Sequence, residues 1–180
     1  MLILNLGCGG ASPLHRNIWF GDVRVDIRKS KNVTVVADAQ HLPFNSCVFY
    51  KVFCFEVIEH LENPSQALRE MKRVLKPNGE ITVTIPNIWR IGRIIAWILF
   101  KNKALKPDTT SHRQGWDIYE FNRLLRQTGL RIKNIRWINY VNPTKKQRLI
   151  QKIIPVSELT KTHLLITAEK EKLNSKISKS

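Results

Sequence analysis

The sequence predicts an α/β protein built on a doubly wound, mostly parallel sheet, and three observations carry that expectation. An apolar run, Leu2 to Leu6, breaks into the glycine cluster Gly7-Cys8-Gly9-Gly10 with no helix before it. An acid, Asp26, closes the next apolar segment, Val23-Arg-Val-Asp-Ile27. Further strand-like segments then alternate with helical patterns. Glycine at the carboxyl end of a strand lets the backbone pass close to a ligand, because no Cβ intervenes. A glycine turn followed by an acid about 20 residues on is the layout that holds a ribose-containing cofactor. The turn alone also suits a plain structural bend.

The elements follow in order. Strands are expected near 2–6 and 23–27. The β-branched run Val33-Thr-Val-Val-Ala37 is a third strand ending at Asp38, and Tyr50 to Phe55 is a fourth. A helix follows, with Asn63 to cap it, Pro64 at its first position and Gly79 beyond its end. Ala67, Leu68, Met71, Val74 and Leu75 recur at helical spacing and mark its inner face. An Asn78-Gly79 turn leads to a fifth strand, Glu80–Ile85. Tyr119–Thr128 reads as a helix with Phe121, Leu124 and Leu125 inward, stopped by Gly129. Strands near 131–140 and 162–168 close the sheet, around a basic connection at 141–161. The links between the first three strands are short, and Lys29-Ser-Lys-Asn32 has little room for a helix, so the helical layer is expected to be trimmed. Residues 1–170 form a single domain in this reading, and 171–180 a frayed basic tail.

Composition bounds the class. Of 180 residues, 43% are hydrophobic, which is ordinary for a folded chain and excludes wholesale disorder. No apolar run approaches the length of a membrane span. The amino terminus lacks the basic region of a signal peptide. Cys8, Cys47 and Cys54 have no C-x-x-C spacing, which fits a reducing cytoplasm and no zinc site. Charge is uneven. Residues 1–87 carry 10 Lys/Arg and 8 Asp/Glu, whereas 88–180 carry 20 and 6, a net of +2 against +14. The basic half is either a solvated surface or a surface for an anionic partner, RNA or a membrane.

Four segments, in order, resemble the class I S-adenosylmethionine-dependent methyltransferases, in particular the type 11 group. They are Asn5-Leu-Gly-Cys-Gly-Gly10, Val25-Asp26, Asp38-Ala-Gln-His-Leu-Pro-Phe44, and Glu56-Val-Ile-Glu-His-Leu61 leading to Leu75-Lys-Pro-Asn-Gly79 and Ile85-Pro-Asn87. Each motif is weak alone, and together they are specific. The resemblance implies a Rossmann-like sheet with a final antiparallel strand at 162–168 and S-adenosylmethionine as cofactor. It places Gly7 and Gly9 near the methionine end, Asp26 on the ribose hydroxyls, Asp38 with the Ala39 backbone on the adenine, and Glu56 by the amino acid moiety. Cys8 is then a small packing residue. Two features depart from the family. Ala11 stands where a third glycine is usual, and no helix precedes the first strand, which implies an open site, weak binding, a lid supplied by a partner, or a truncated gene product.

Methyl transfer needs alignment above all, so a catalytic group is not obligatory. Glu56, Glu59 and His60 would share one face of a helix start. His60, with Glu59, could take a proton from a hydroxyl or amine acceptor, or the two could brace the loop. The same string resembles the Mg²⁺ cluster of small-RNA 3′-end 2′-O-methyltransferases and some ubiquinone-pathway O-methyltransferases, with His112 as a further ligand, but it also occurs in metal-free relatives. The Trp-rich stretch 88–103, with Trp89, Ile94, Trp97 and Leu99 beside Arg90, Arg93, Lys101 and Lys103, reads as a membrane-surface helix, a lid over the acceptor, or a core helix. The leading reading is a cytoplasmic methyltransferase, peripheral to a membrane if that helix binds one. Its acceptor is small or lipid-like rather than RNA. The others are a non-catalytic cofactor-binding subunit and a nicotinamide oxidoreductase. The Asp38 loop and the serine at position 12, where G-x-G-x-x-G wants glycine, count against the last.

Overall fold

A computed structural model describes residues 1–9, 21–88, 115–139 and 162–171. The stretch 89–114, with Trp89, Trp97 and His112, lies outside them, as do Ala11, the connection 141–161 and the tail from 172. The described elements are β1 (Ile3–Leu6), β2 (Val23–Asp26), β3 (Val35–Val36), β4 (Phe49–Cys54), a 3-10 turn (Ile58–His60), α1 (Pro64–Val74), β5 (Leu75–Pro86), α2 (Ile118–Gln127), β6 (Leu130–Ile138) and β7 (His163–Lys170).

One sheet holds all seven strands in the order β3-β2-β1-β4-β5-β7-β6. The pairs from β3 to β5 are parallel, and β7 runs antiparallel to both β5 and β6. Chain order reverses between β1 and β4, and the carboxyl ends of those strands open on the crevice where ligands bind in such sheets. The final antiparallel strand is therefore present and runs two residues past the expected end, to Lys170. The trimmed helical layer is present too. No helix occurs between β2 and β3 or between Ala37 and Val48.

Local chemistry sets the boundaries. The Asn63 side chain accepts the Gln66 N–H at 3.0 Å and caps α1. Ala67, Leu68, Met71 and Val74 are fully buried beneath it. The helix ends earlier than its apolar spacing suggests, because Pro77 forces Lys76 out of helical geometry. The chain passes into β5 at Leu75, and the expected Asn78-Gly79 turn appears as a bulge inside that strand, between the Leu75–Phe49 and Glu80–Lys51 pairs, with Asn78 at φ +63. β3 is shorter than its β-branched run. The Thr34 hydroxyl takes the Arg24 N–H at 2.8 Å in place of a backbone partner. Asp117 caps α2 by accepting the Glu120 N–H, and Gly129 at φ +74 turns the chain out of it. Phe121 and Leu125 are buried there, and Leu124 is partly so.

The core lies between these helices and one face of the sheet. Leu4, Leu6, Val52, Cys54, Ile81, Val83, Ile85, Leu164 and Ile166 meet Leu68, Met71, Phe121 and Leu125 there. Each such side chain contributes about 1.5–3 kcal/mol on leaving water. Alternation sends the intervening residues to the other face. There Lys51 and Lys133 pair with Glu80, and Arg131 with Glu169.

Candidate functional site

The glycine turn after β1 is shaped by its neighbours. The Gly7 N–H donates to the Val25 carbonyl at 2.8 Å, tying the turn to β2. Gly7 has φ +76, and a Cβ there would lie 2.0 Å from Val57 Cγ2. A Cβ on Gly9 would lie 2.8 Å from Asp26 Cγ. Only glycine lets the turn close simultaneously on β2 and on the segment after β4. The Gly9 N–H then donates to Asp26 Oδ2 at 2.8 Å, and the Arg28 N–H to Oδ1 at 2.9 Å. Each carboxylate oxygen keeps room for a further donor. Cys8 is buried between the two glycines, its thiol against the Val25 carbonyl and pushed up to about 11, first by burial and then by Asp26. It is a packing residue. Ile27 and Val36 stand exposed beside Asp26, an apolar ledge next to the acid that the sequence reading did not single out.

Asp38 lies one strand further out. Its Oδ1 accepts the Gln40 N–H at 2.8 Å, and the Gln40 amide spans both oxygens at 3.1 and 3.0 Å. Ala39 is buried behind it. The loop is stapled from α1. Glu70 Oε2 takes the Leu42 N–H at 2.8 Å, and Arg73 reaches the carbonyls of Phe44 and Leu42 at 2.6 and 2.9 Å while pairing with Glu70 at 2.7 Å. The Arg73 hydrogen bond holds the Glu70 carboxyl below its ordinary value. The Gln40 carbonyl oxygen of the side chain also accepts the Asn63 N–H at 2.8 Å. Gln40, Glu70 and Arg73 were not candidates from sequence, since i,i+3 charges on a helix usually decorate a solvated face.

The Glu56–His60 string closes only a short 3-10 turn at Ile58–His60, and its two acids face each other. Glu56 precedes the turn at φ +54, which costs on the order of 1 kcal/mol for a non-glycine residue. It is held all the same. Its N–H donates to Thr84 Oγ1 at 2.9 Å, the Thr84 hydroxyl donates back to Oε1 at 2.9 Å, and His163 Nε2 lies 3.1 Å from Oε2. Glu59 is sealed beneath, fully buried, with its carboxyl against that of Glu56. Burial first, and the nearby Glu56 carboxylate second, raise its carboxyl well above the usual range. His60 is half-buried, its N–H donating to the Val57 carbonyl at 2.9 Å. Among the described residues no three His, Cys, Asp or Glu side chains converge as a metal site, and His112 lies outside them. His163 and Thr84 were missed because a single His or Thr in a strand carries no spacing signal. A separate open recess of about 370 Å³ lies along α2, between Trp116, Arg123 and Gln127, and contains none of these residues.

Comparison with known proteins agrees with this geometry. A family profile described as a methyltransferase domain matches residues 4–83. An uncharacterized protein of Methanocaldococcus jannaschii is 35% identical over 120 residues, covering 63% of this chain and 48% of its own. The ubiquinone biosynthesis O-methyltransferase of Rickettsia canadensis is 30% identical over 169 residues, covering 77% and 66%. The chain spans about half the length or less of the first curated relatives it matches. Among solved structures, an S-adenosylmethionine-dependent methyltransferase of Archaeoglobus fulgidus superposes with a TM-score of 0.61 at 19% identity, covering 93% of this chain and 85% of the other. The 1,6-didemethyltoxoflavin N1-methyltransferase of Burkholderia thailandensis, solved with S-adenosylhomocysteine, gives 0.61 at 14%, covering 94% and 71%. Profile, relatives, strand order and motif geometry agree, and the chain belongs to the class I S-adenosylmethionine-dependent methyltransferases.

Proposed function

We propose that this chain binds S-adenosylmethionine and transfers its methyl group to a small or lipid-like acceptor. One observation carries the donor assignment. Gly9 leaves a Cβ-free approach directly over Asp26, whose two oxygens are each oriented by one backbone N–H and can each take another donor. That suits a ribose diol, through hydrogen bonds to a charged group. The exposed Ile27 and Val36 suit an apolar ring beside it, Asp38 and the Ala39 backbone suit the adenine edge, and Gly7 and Glu56 suit the amino acid end. The bound cofactor would supply an electrophilic methyl on a sulfonium. The protein's part is to hold it, keep the acceptor in line and accept a proton if the acceptor needs to lose one. His60 is the proposed proton acceptor. Glu59, being fully buried, would act on it only from beneath.

The O-methyltransferase relatives support a hydroxyl acceptor, and the basic half, net +14 over 88–180, supports an anionic surface near it, a membrane before RNA. Calorimetric titration with S-adenosylmethionine, S-adenosylhomocysteine and NAD tests the donor. Asp26→Ala is expected to cost about 1.5–3 kcal/mol of binding while the protein stays folded. Unchanged affinity in that variant would remove the assignment.

A further inference from the structure

His163 is the first residue of β7 and pairs with Pro86 at the end of β5. That register brings it to the carboxyl edge where Glu56 leaves β4. The Glu56 and His163 side chains are only 14% and 15% exposed. A carboxylate this enclosed is expensive unless its oxygens are satisfied. Thr84 serves one and His163 the other. A carboxylate oxygen only accepts, so Nε2 must carry the proton. Thr162 Oγ1, 2.9 Å from Nδ1, holds the ring from its far side. Three strands thus converge on one acid, and that acid has adopted a left-handed backbone conformation to meet them. Val57, the next residue, is the one Gly7 was made to clear. The network therefore abuts the glycine turn itself.

We propose that His163 is a positioning residue for donor binding. By holding the second oxygen of Glu56 it fixes the carboxylate that meets the amino acid end of the cofactor. The inference rests on the donor reading above and adds β7 to a site otherwise made by β1, β2, β4 and the loop after β3. Its specific consequence is a split between ligands. A ligand with an amino acid arm depends on His163, and a ligand without one does not.

The test compares S-adenosylhomocysteine with 5′-methylthioadenosine, which keeps the adenosine and thioether but lacks the amino acid. In His163→Ala the dissociation constant for S-adenosylhomocysteine is expected to rise roughly fivefold to twentyfold, with 5′-methylthioadenosine unchanged. His163→Gln, whose amide N–H can serve the same oxygen, is expected to recover most of the loss. His163→Phe, which keeps the ring volume and removes the donor, gives the same readout if the alanine variant does not fold. Equal weakening of both ligands, or of neither, overturns the inference. A wild-type protein that binds neither ligand overturns the donor reading itself, whereas weakening by Glu56→Gln alone leaves that reading standing and removes only His163.

Discussion

On one face of the sheet Val52, Ile81, Val83 and Ile85 are closed over by α1 and α2, and one residue along each strand, on the other face, Lys51, Glu80 and Glu169 meet Lys133 and Arg131 partly in the open. The same strands therefore stabilise the fold in two currencies of very different strength. Apolar burial on the helical face is worth kilocalories per residue. The exposed ion pairs are worth little each, and salt screens them. What they do contribute is solubility and register. Across β4 to β7, a lattice of opposite charges lets a sheet face meet water without becoming a sticky patch.

The sharpest way to break that contrast is a cavity on the helical face. Leu68→Ala, fully buried in α1, should lower unfolding free energy by about 2–5 kcal/mol in a denaturant titration. Next comes the staple. Arg73→Ala should cost about 1.5–3 kcal/mol and should weaken S-adenosylhomocysteine binding as well, since it releases the loop that carries Asp38. Because Glu70 is held below its ordinary value, its stabilising contribution is present above the unfolded-state value and is lost as pH falls through the folded one. Thermal melts between pH 6 and 3 should therefore converge for wild type and Arg73→Ala.

Glu59 has the opposite sign. Its folded-state value is raised, so the folded protein keeps a proton the unfolded chain releases, and stability falls as pH rises from the unfolded value towards the raised one. Glu59→Gln should flatten that fall, with a melting-temperature gain of about 3 °C at pH 8 and less at pH 5. The smallest effect belongs to the open face. Lys133→Ala should leave the melting temperature within error of wild type, and any difference should shrink further in 0.5 M salt, where the screening length is about 4 Å. A large salt-resistant loss there would mean the two faces are not built differently after all.

Much of this was legible in the sequence because period and punctuation are local. Apolar runs marked β1, β2, β4 and β7 to within two residues, Asn63 and Pro64 marked the start of α1, and Gly129 the end of α2. The glycine turn and Asp26 were legible as a pair because their spacing is fixed by the fold. What was not legible depends on long-range register. Nothing local says that Thr84 and His163 will face Glu56 across three strands, or that Arg73 will reach the Leu42 and Phe44 carbonyls 29 to 31 residues away. The Glu56–His60 string was legible as a cluster, but its shape was not: Glu56 sits at φ +54 before a 3-10 turn, and Glu59 is buried beneath it.

The direct passage from Val74 into Leu75 has a consequence for how this chain can vary. A strand alternates with a period of two, so the loop before it normally absorbs insertions and deletions harmlessly. Here the slack is confined to a bulge at Lys76–Gly79, where four residues face Tyr50 alone before Glu80 pairs with Lys51. One residue gained or lost after that bulge, at Glu80, would turn Ile81, Val83 and Ile85 out to the charged face and swing the Thr84 hydroxyl away from Glu56. Length change in descendants of this sequence should thus be tolerated in the links after β2 and β3 and in the bulge, and purged from Glu80 onward, making the regular part of β5 a fixed ruler that ends on the acid after β4.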